Sequence, residues 1–153
     1  MSLFASPRFL PLVLRVDALS GVVTALLHLV GGSALAGWLG LPPALVLATG
    51  AALWVYVAAA GWASFAQPVP RGLVGALIVC NWAWAVGCLA LLVTSAGITP
   101  LGQAYLAVQA MAVVVFAEVE WLGLRRYPVR ERVEVWESAK CVCTVTRAEA
   151  MAH

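Results

Sequence analysis

Long apolar runs alternate along this chain with short breaks at proline. Four runs stand out, Ala18 to Leu41, Ala44 to Ala66, Gly72 to Ser95 and Leu101 to Leu124, each 23 or 24 residues long. A helix rising about 1.5 Å per residue covers about 35 Å over such a run, enough to cross a hydrocarbon core of about 30 Å with some tilt. No run holds an interior Pro. The breaks are Leu41-Pro42-Pro43, Gln67-Pro68-Val69-Pro70-Arg71 and Gly97-Ile98-Thr99-Pro100, where Pro ends one helix or sits before the next. Connections this short force neighbouring helices to run antiparallel. The pattern predicts an all-α fold, a four-transmembrane-helix antiparallel bundle over residues 18–126, with helices at about 18–41, 44–66, 72–95 and 101–124.

Ahead of the bundle, residues 1–17 read as an interfacial segment: Phe4, Phe9, Leu10, Leu12 and Val13 with Arg8 and Arg15 suit a short helix lying on the membrane. Behind it, residues 127–153 form a short tail with no apolar run long enough for a fifth span. Val129, Val133 and Trp136 suit an interfacial helix, whereas Val133 to Trp136 and Cys141 to Thr146 suit two strands.

Orientation follows from the basic residues. Arg8 and Arg15 precede the first run, Arg71 lies between the second and third, and Arg125, Arg126, Arg130, Arg132, Lys140 and Arg147 follow the fourth. All nine Lys and Arg fall on one side of a four-span arrangement, so the positive-inside rule puts both termini in the cytoplasm. A competing reading takes Arg8, Arg15, the first apolar run and Ala34-Leu35-Ala36 as a signal peptide cleaved near Ala36. Against it, the run exceeds the usual apolar core of about 7 to 15 residues and continues through Trp38 to Leu41.

Composition agrees: 63% of residues are hydrophobic and 10% charged, where a soluble domain carries about a quarter charged. The lipid bilayer is therefore the expected surrounding. A net charge of +2 is too weak to argue for a nucleic-acid partner.

Polar residues inside the runs are the functional leads, since an Asp at a helix centre costs about 2.5 to 3.5 kcal/mol on insertion scales. Asp17, Gly21, Thr24, His28 and Gly31 recur at helical spacing and share one face of the first helix. That face reads either as close packing, with Asp17 at the interface beside Arg15, or as a polar track in which Asp17 and His28 exchange protons or hold a ligand. Asn81 lies about 15 Å along from Arg71, near the midplane, where its amide can bond His28 or Thr24 across the bundle or orient a ligand. Gln109, Glu118 and Glu120 mark the fourth helix. The two carboxyls, two residues apart, sit about 200° apart around the helix and cannot share a face. Glu120 falls on the Gln109 face and is the choice for the interior, whereas Glu118 lines up with Trp121 and Arg125.

Other chemistries lack their residues. A membrane haem held by two His within one chain has only His28 to use, because His153 ends the tail. Cys80 and Cys88 are about 12 Å apart along one helix, too far for a disulfide, and neither outer loop holds Cys. Cys141 and Cys143 supply two soft ligands where a closed metal site takes about four. No phosphate loop, nucleophile elbow or kinase signature is present, so no catalytic residue, metal or cofactor is expected.

The order Ser6-Pro7-Arg8-Phe9-Leu10, Val16-Asp17-Ala18, Asn81-Trp82-Ala83-Trp84, Thr99-Pro100-Leu101-Gly102 and Phe116 to Arg126 resembles a family of small bacterial four-helix membrane proteins with no assigned activity. The resemblance implies a bundle in a bacterial inner membrane and transfers no site. Two functions are expected from the residues. One is an accessory subunit that docks on a membrane-protein partner through Trp-rich and Gly-rich faces. The other is a proton-coupled carrier or binding protein for a small hydrophobic or cationic compound, working as a homodimer, with Asp17, His28, Asn81 and Glu120 along the path.

Overall fold

The structure, a computed structural model, describes residues 8–127. They form four helices: α1 Phe9–Leu39, α2 Pro43–Phe65, α3 Arg71–Thr94 and α4 Pro100–Arg126. All four are long and apolar enough to cross a membrane. The alternatives for the tail, and the residues ahead of Arg8, lie outside the described residues.

α1 departs from the expected boundary. It is one helix from Phe9, so the stretch from Phe9 to Asp17 continues the helix of the first apolar run and does not form a separate one. The cause is packing: Leu10 and Leu14 are buried in the same core as Ala18, Ala60, Val74 and Ala117. Pro11 is no obstacle, because a proline in the first turn replaces an N–H that has no helical partner anyway. Pro43 and Pro100 start α2 and α4 in the same way.

α1 is the central element. It packs most extensively on α2, and also on α4; α4 packs on α3; of the pairs that pack together, α2 and α3 touch least. Glycine makes the α1 contacts close. A Cβ on Gly21 would stand 2.8 Å from Val57 Cγ2, and one on Gly50 of α2 2.8 Å from His28 Cβ. At the end where the described chain begins, Gly123 of α4 faces Leu10, and Arg71 Nη1 donates to the carbonyl of Tyr127 at 3.2 Å. Here too the Arg15 guanidinium stacks over Phe65, 4.5 Å from the ring centre.

The opposite end is fastened by Thr99. Gly40 ends α1 in the left-handed conformation, φ 70°, which lets Leu41 N–H reach back to Ala36 O. Thr99 N–H donates to Leu39 O at 3.1 Å and its hydroxyl donates to Trp38 O at 2.6 Å. The same hydroxyl oxygen caps α4 by accepting from Gly102 N–H at 3.0 Å. Gly102 has to be glycine, because a Cβ there would run into the carbonyl oxygen of Leu39.

The outer surface is apolar, with Leu19, Val30, Val55 and Val93 exposed along the helices and Trp38 and Trp62 exposed near opposite ends. Such a surface suits lipid, with Trp at the headgroup levels.

Gly102→Ala should destabilise the fold by about 1–3 kcal/mol through overpacking at the α1–α4 contact. Gly87→Ala, where a Cβ meets nothing within 4 Å, should be neutral or slightly stabilising. Unfolding by titrated denaturing detergent, followed by circular dichroism, separates the two.

Candidate functional site

Each helix delivers one polar side chain to a common point. Asp17 comes from α1, Tyr56 from α2, Asn81 from α3 and Glu120 from α4. Tyr56 Oη donates to Asp17 Oδ2. The Asn81 amide bridges the two acids: Nδ2 lies 3.5 Å from Asp17 Oδ2 and 3.5 Å from Glu120 Oε2, both long contacts. Asp17 is 3% exposed, Asn81 4% and Glu120 0%. Glu120 Oε1 is sealed in without a partner. Neither acid makes an ion pair among the described residues; Arg15, two residues from Asp17, is engaged with Phe65 instead.

A second polar group lies about 16 Å further along α1. His28 Nδ1 is 3.0 Å from Thr49 Oγ1 and Nε2 is 2.8 Å from Tyr105 Oη. Its proton positions follow from the neighbours. Thr49 spends its hydroxyl proton on Leu45 O at 2.8 Å, so its oxygen accepts from Nδ1–H. Nε2 is then the bare nitrogen, accepting from Tyr105 O–H, whose oxygen accepts from Gln109 Nε2 at 3.1 Å. Every member of this chain is satisfied with a neutral imidazole.

Both groups border one cavity of about 840 Å³, set where α2 and α3 stand apart. Its walls are mostly apolar: Leu53, Ala59, Leu73, Ala76 and Leu91 are among them. Asp17, Tyr56, Asn81, His28, Thr49, Tyr105 and Gln109 supply the polar points, while Glu120 lies behind the wall. A larger hollow of about 1090 Å³, bordered by Arg8, Arg15, Phe65 and Tyr127, takes in neither polar group. The chemistry is in the α2–α3 cleft, so the site is placed there.

Several expectations need correcting. Asn81 does not bond His28 or Thr24; it reaches the two acids. Asp17 is buried among the other helices with Tyr56 and Asn81, while Arg15 turns away onto Phe65. The buried seam of α1 runs through Asp17, Gly21, Ala25, His28 and Gly32, leaving Thr24 and Gly31 at its margin. Gln109 joins His28 through Tyr105 and takes no part with Glu120. Glu118 is exposed on the outside of α4, away from the cluster.

Tyr56, Tyr105 and Thr49 are site residues that the sequence did not disclose. A signal for the tyrosines exists: a phenol well inside an apolar run needs a hydrogen-bond partner. Among the described residues no group of three or more His, Cys, Asp and Glu is placed to hold a metal ion.

Fold and site together define a multi-pass membrane protein, four apolar helices enclosing buried polar chemistry beside a lateral cleft. No protein-family model, curated protein or solved structure matches the chain.

Tyr105→Phe removes the donor to His28 Nε2 and should cost about 1 kcal/mol. In the unaltered protein, ¹⁵N spectra of labelled histidine should show Nδ1 protonated and Nε2 bare for His28. Asn81→Ala should cost about 1–3 kcal/mol by leaving buried acceptors without their amide, whereas Glu118→Ala should stay within about 0.5 kcal/mol; detergent unfolding reads both.

Proposed function

We propose that the protein binds, and as a carrier moves, a small lipid-soluble molecule in the cleft between α2 and α3. In this reading the helices form an antiparallel bundle in a bacterial inner membrane with both termini in the cytoplasm, in keeping with the one-sided placement of Arg and Lys. The observation that carries it is the cleft itself. At about 840 Å³ it lies within the range of about 300–1,000 Å³ typical of small-molecule sites, mostly apolar with a few convergent polar groups. Its opening lies between two helices whose outer faces suit lipid, so a ligand enters sideways from the bilayer.

Of the two expected functions, this favours the binding protein or carrier over the accessory subunit. An accessory protein that only docks needs no cleft, whereas a binding protein or carrier does. Paired acids with no ion-pair partner among the described residues call for a cation or a proton to accompany them.

Filling the cleft tests the reading. Gly87 lines it, and a side chain begun there meets nothing within 4 Å. Native mass spectrometry of protein released gently from its own membrane should find a retained small molecule, absent from the Gly87→Trp variant. An unliganded chain holding a stoichiometric companion subunit would overturn the proposal in favour of the accessory function.

A further inference from the structure

A cleft that binds small molecules does not by itself account for two buried acids beside it. Building on that binding function, we propose that Asp17 and Glu120 form a cation-recognition site of the cleft, at which a lipophilic organic monocation replaces a proton shared by the two carboxyl groups.

Asn81 Nδ2 lies 3.5 Å from an oxygen of each acid, which holds the two carboxyl groups side by side, and two carboxylates that close in a dry interior repel unless a proton or a cation lies between them. Among the described residues neither acid makes an ion pair that would hold the two together. The groups that face it are Tyr56 from α2 and Asn81 from α3, with Cys80 beside Asn81 on the cleft wall. Arg15 is stacked on Phe65, Arg71 is bonded to Tyr127 and Arg125 lies over Trp121. A second sign of an unmet partner is Glu120, fully buried, aimed into the cluster and with Oε1 unbonded.

The two acids have different positions and so different tasks. Asp17 borders the cleft and meets the cation; Glu120 lies behind it and is a positioning residue that holds the proton. The exchange balances. With one shared proton the pair carries a single negative charge. After the proton leaves to water, two carboxylates and one bound cation again sum to a single negative charge, so the dry interior never holds a larger imbalance. A dication would break that balance. An inorganic cation would have to shed its water in a cleft with mostly apolar walls, whereas an organic cation brings its own apolar surface, and Tyr56 and Trp84 add aromatic side chains to the wall.

The test uses the full chain in a neutral detergent with tetraphenylphosphonium as the cation and triphenylphosphine oxide as an uncharged counterpart. Calorimetry in two buffers of different ionisation enthalpy should report about one proton released per tetraphenylphosphonium bound, with affinity rising up to about tenfold per pH unit. Glu120→Gln should still bind the cation but release no proton and lose the pH dependence. Asp17→Asn should weaken binding by about tenfold or more. Infrared difference spectra of the unaltered protein need no variant: the carbonyl band of a protonated carboxyl should disappear when tetraphenylphosphonium is added. Cation binding without proton release, or with that band unchanged, overturns the exchange. If triphenylphosphine oxide binds, is blocked by Gly87→Trp, and tetraphenylphosphonium does not bind, the cation site falls while the cleft reading stands. If neither probe binds, both fall.

Discussion

A carboxyl group inside a bilayer has to find its partners in the protein, since no water stands ready to solvate it. Here that requirement draws one side chain from each of four helices to one place. Tyr56 gives its proton to Asp17, Asn81 reaches both acids, and Glu120 completes the cluster from the far side. The contact fixes more than a local bond. Each helix can offer its residue only at one rotation and one depth, so the cluster helps set the register of the whole arrangement. Buried polar groups used to set register are well attested in helical assemblies, even where they add little to stability.

Packing around that cluster is uneven in a way that serves a binding site. Gly21 and Gly50 let side chains of the facing helix lie close against the α1 and α2 backbones, Gly123 does the same for Leu10 between α1 and α4, and Gly102 meets the Leu39 carbonyl itself. Nothing comparable joins α2 to α3. Without a hydrophobic drive between helices in lipid, small residues decide which pairs approach. No close glycine contact spans the gap between α2 and α3, and polar residues that would be costly against lipid line it instead.

Much of this is legible in the sequence, and the errors have a common source. Apolar runs broken by Pro give the four spans to within a few residues at seven of their eight ends. The 200° offset between Glu118 and Glu120 tells inside from outside. The exception is the start of α1. With the first span begun at Ala18, Asp17 falls at the interface; once Leu10 and Leu14 extend the helix to Phe9, Asp17 drops to the depth of Asn81 and Glu120. Asn81 is matched with the wrong partners for the same reason. Tyr56, Tyr105 and Thr49 escape notice because single-chain periodicity shows which face a residue takes but not which residue of a neighbouring helix stands opposite. A tyrosine five residues into a span also reads as an interfacial anchor.

The order in which the four helices leave the ribosome gives the Asp17–Tyr56 pair a further meaning. The first acid is made early and the second last, so Asp17 must enter the membrane long before Glu120 exists. Tyr56 lies on the very next helix, so the first two helices by themselves already contain both partners of that bond. The costliest residue of the first span thus has its nearest donor in the first half of the chain, and only the Asn81 and Glu120 contacts depend on the second half.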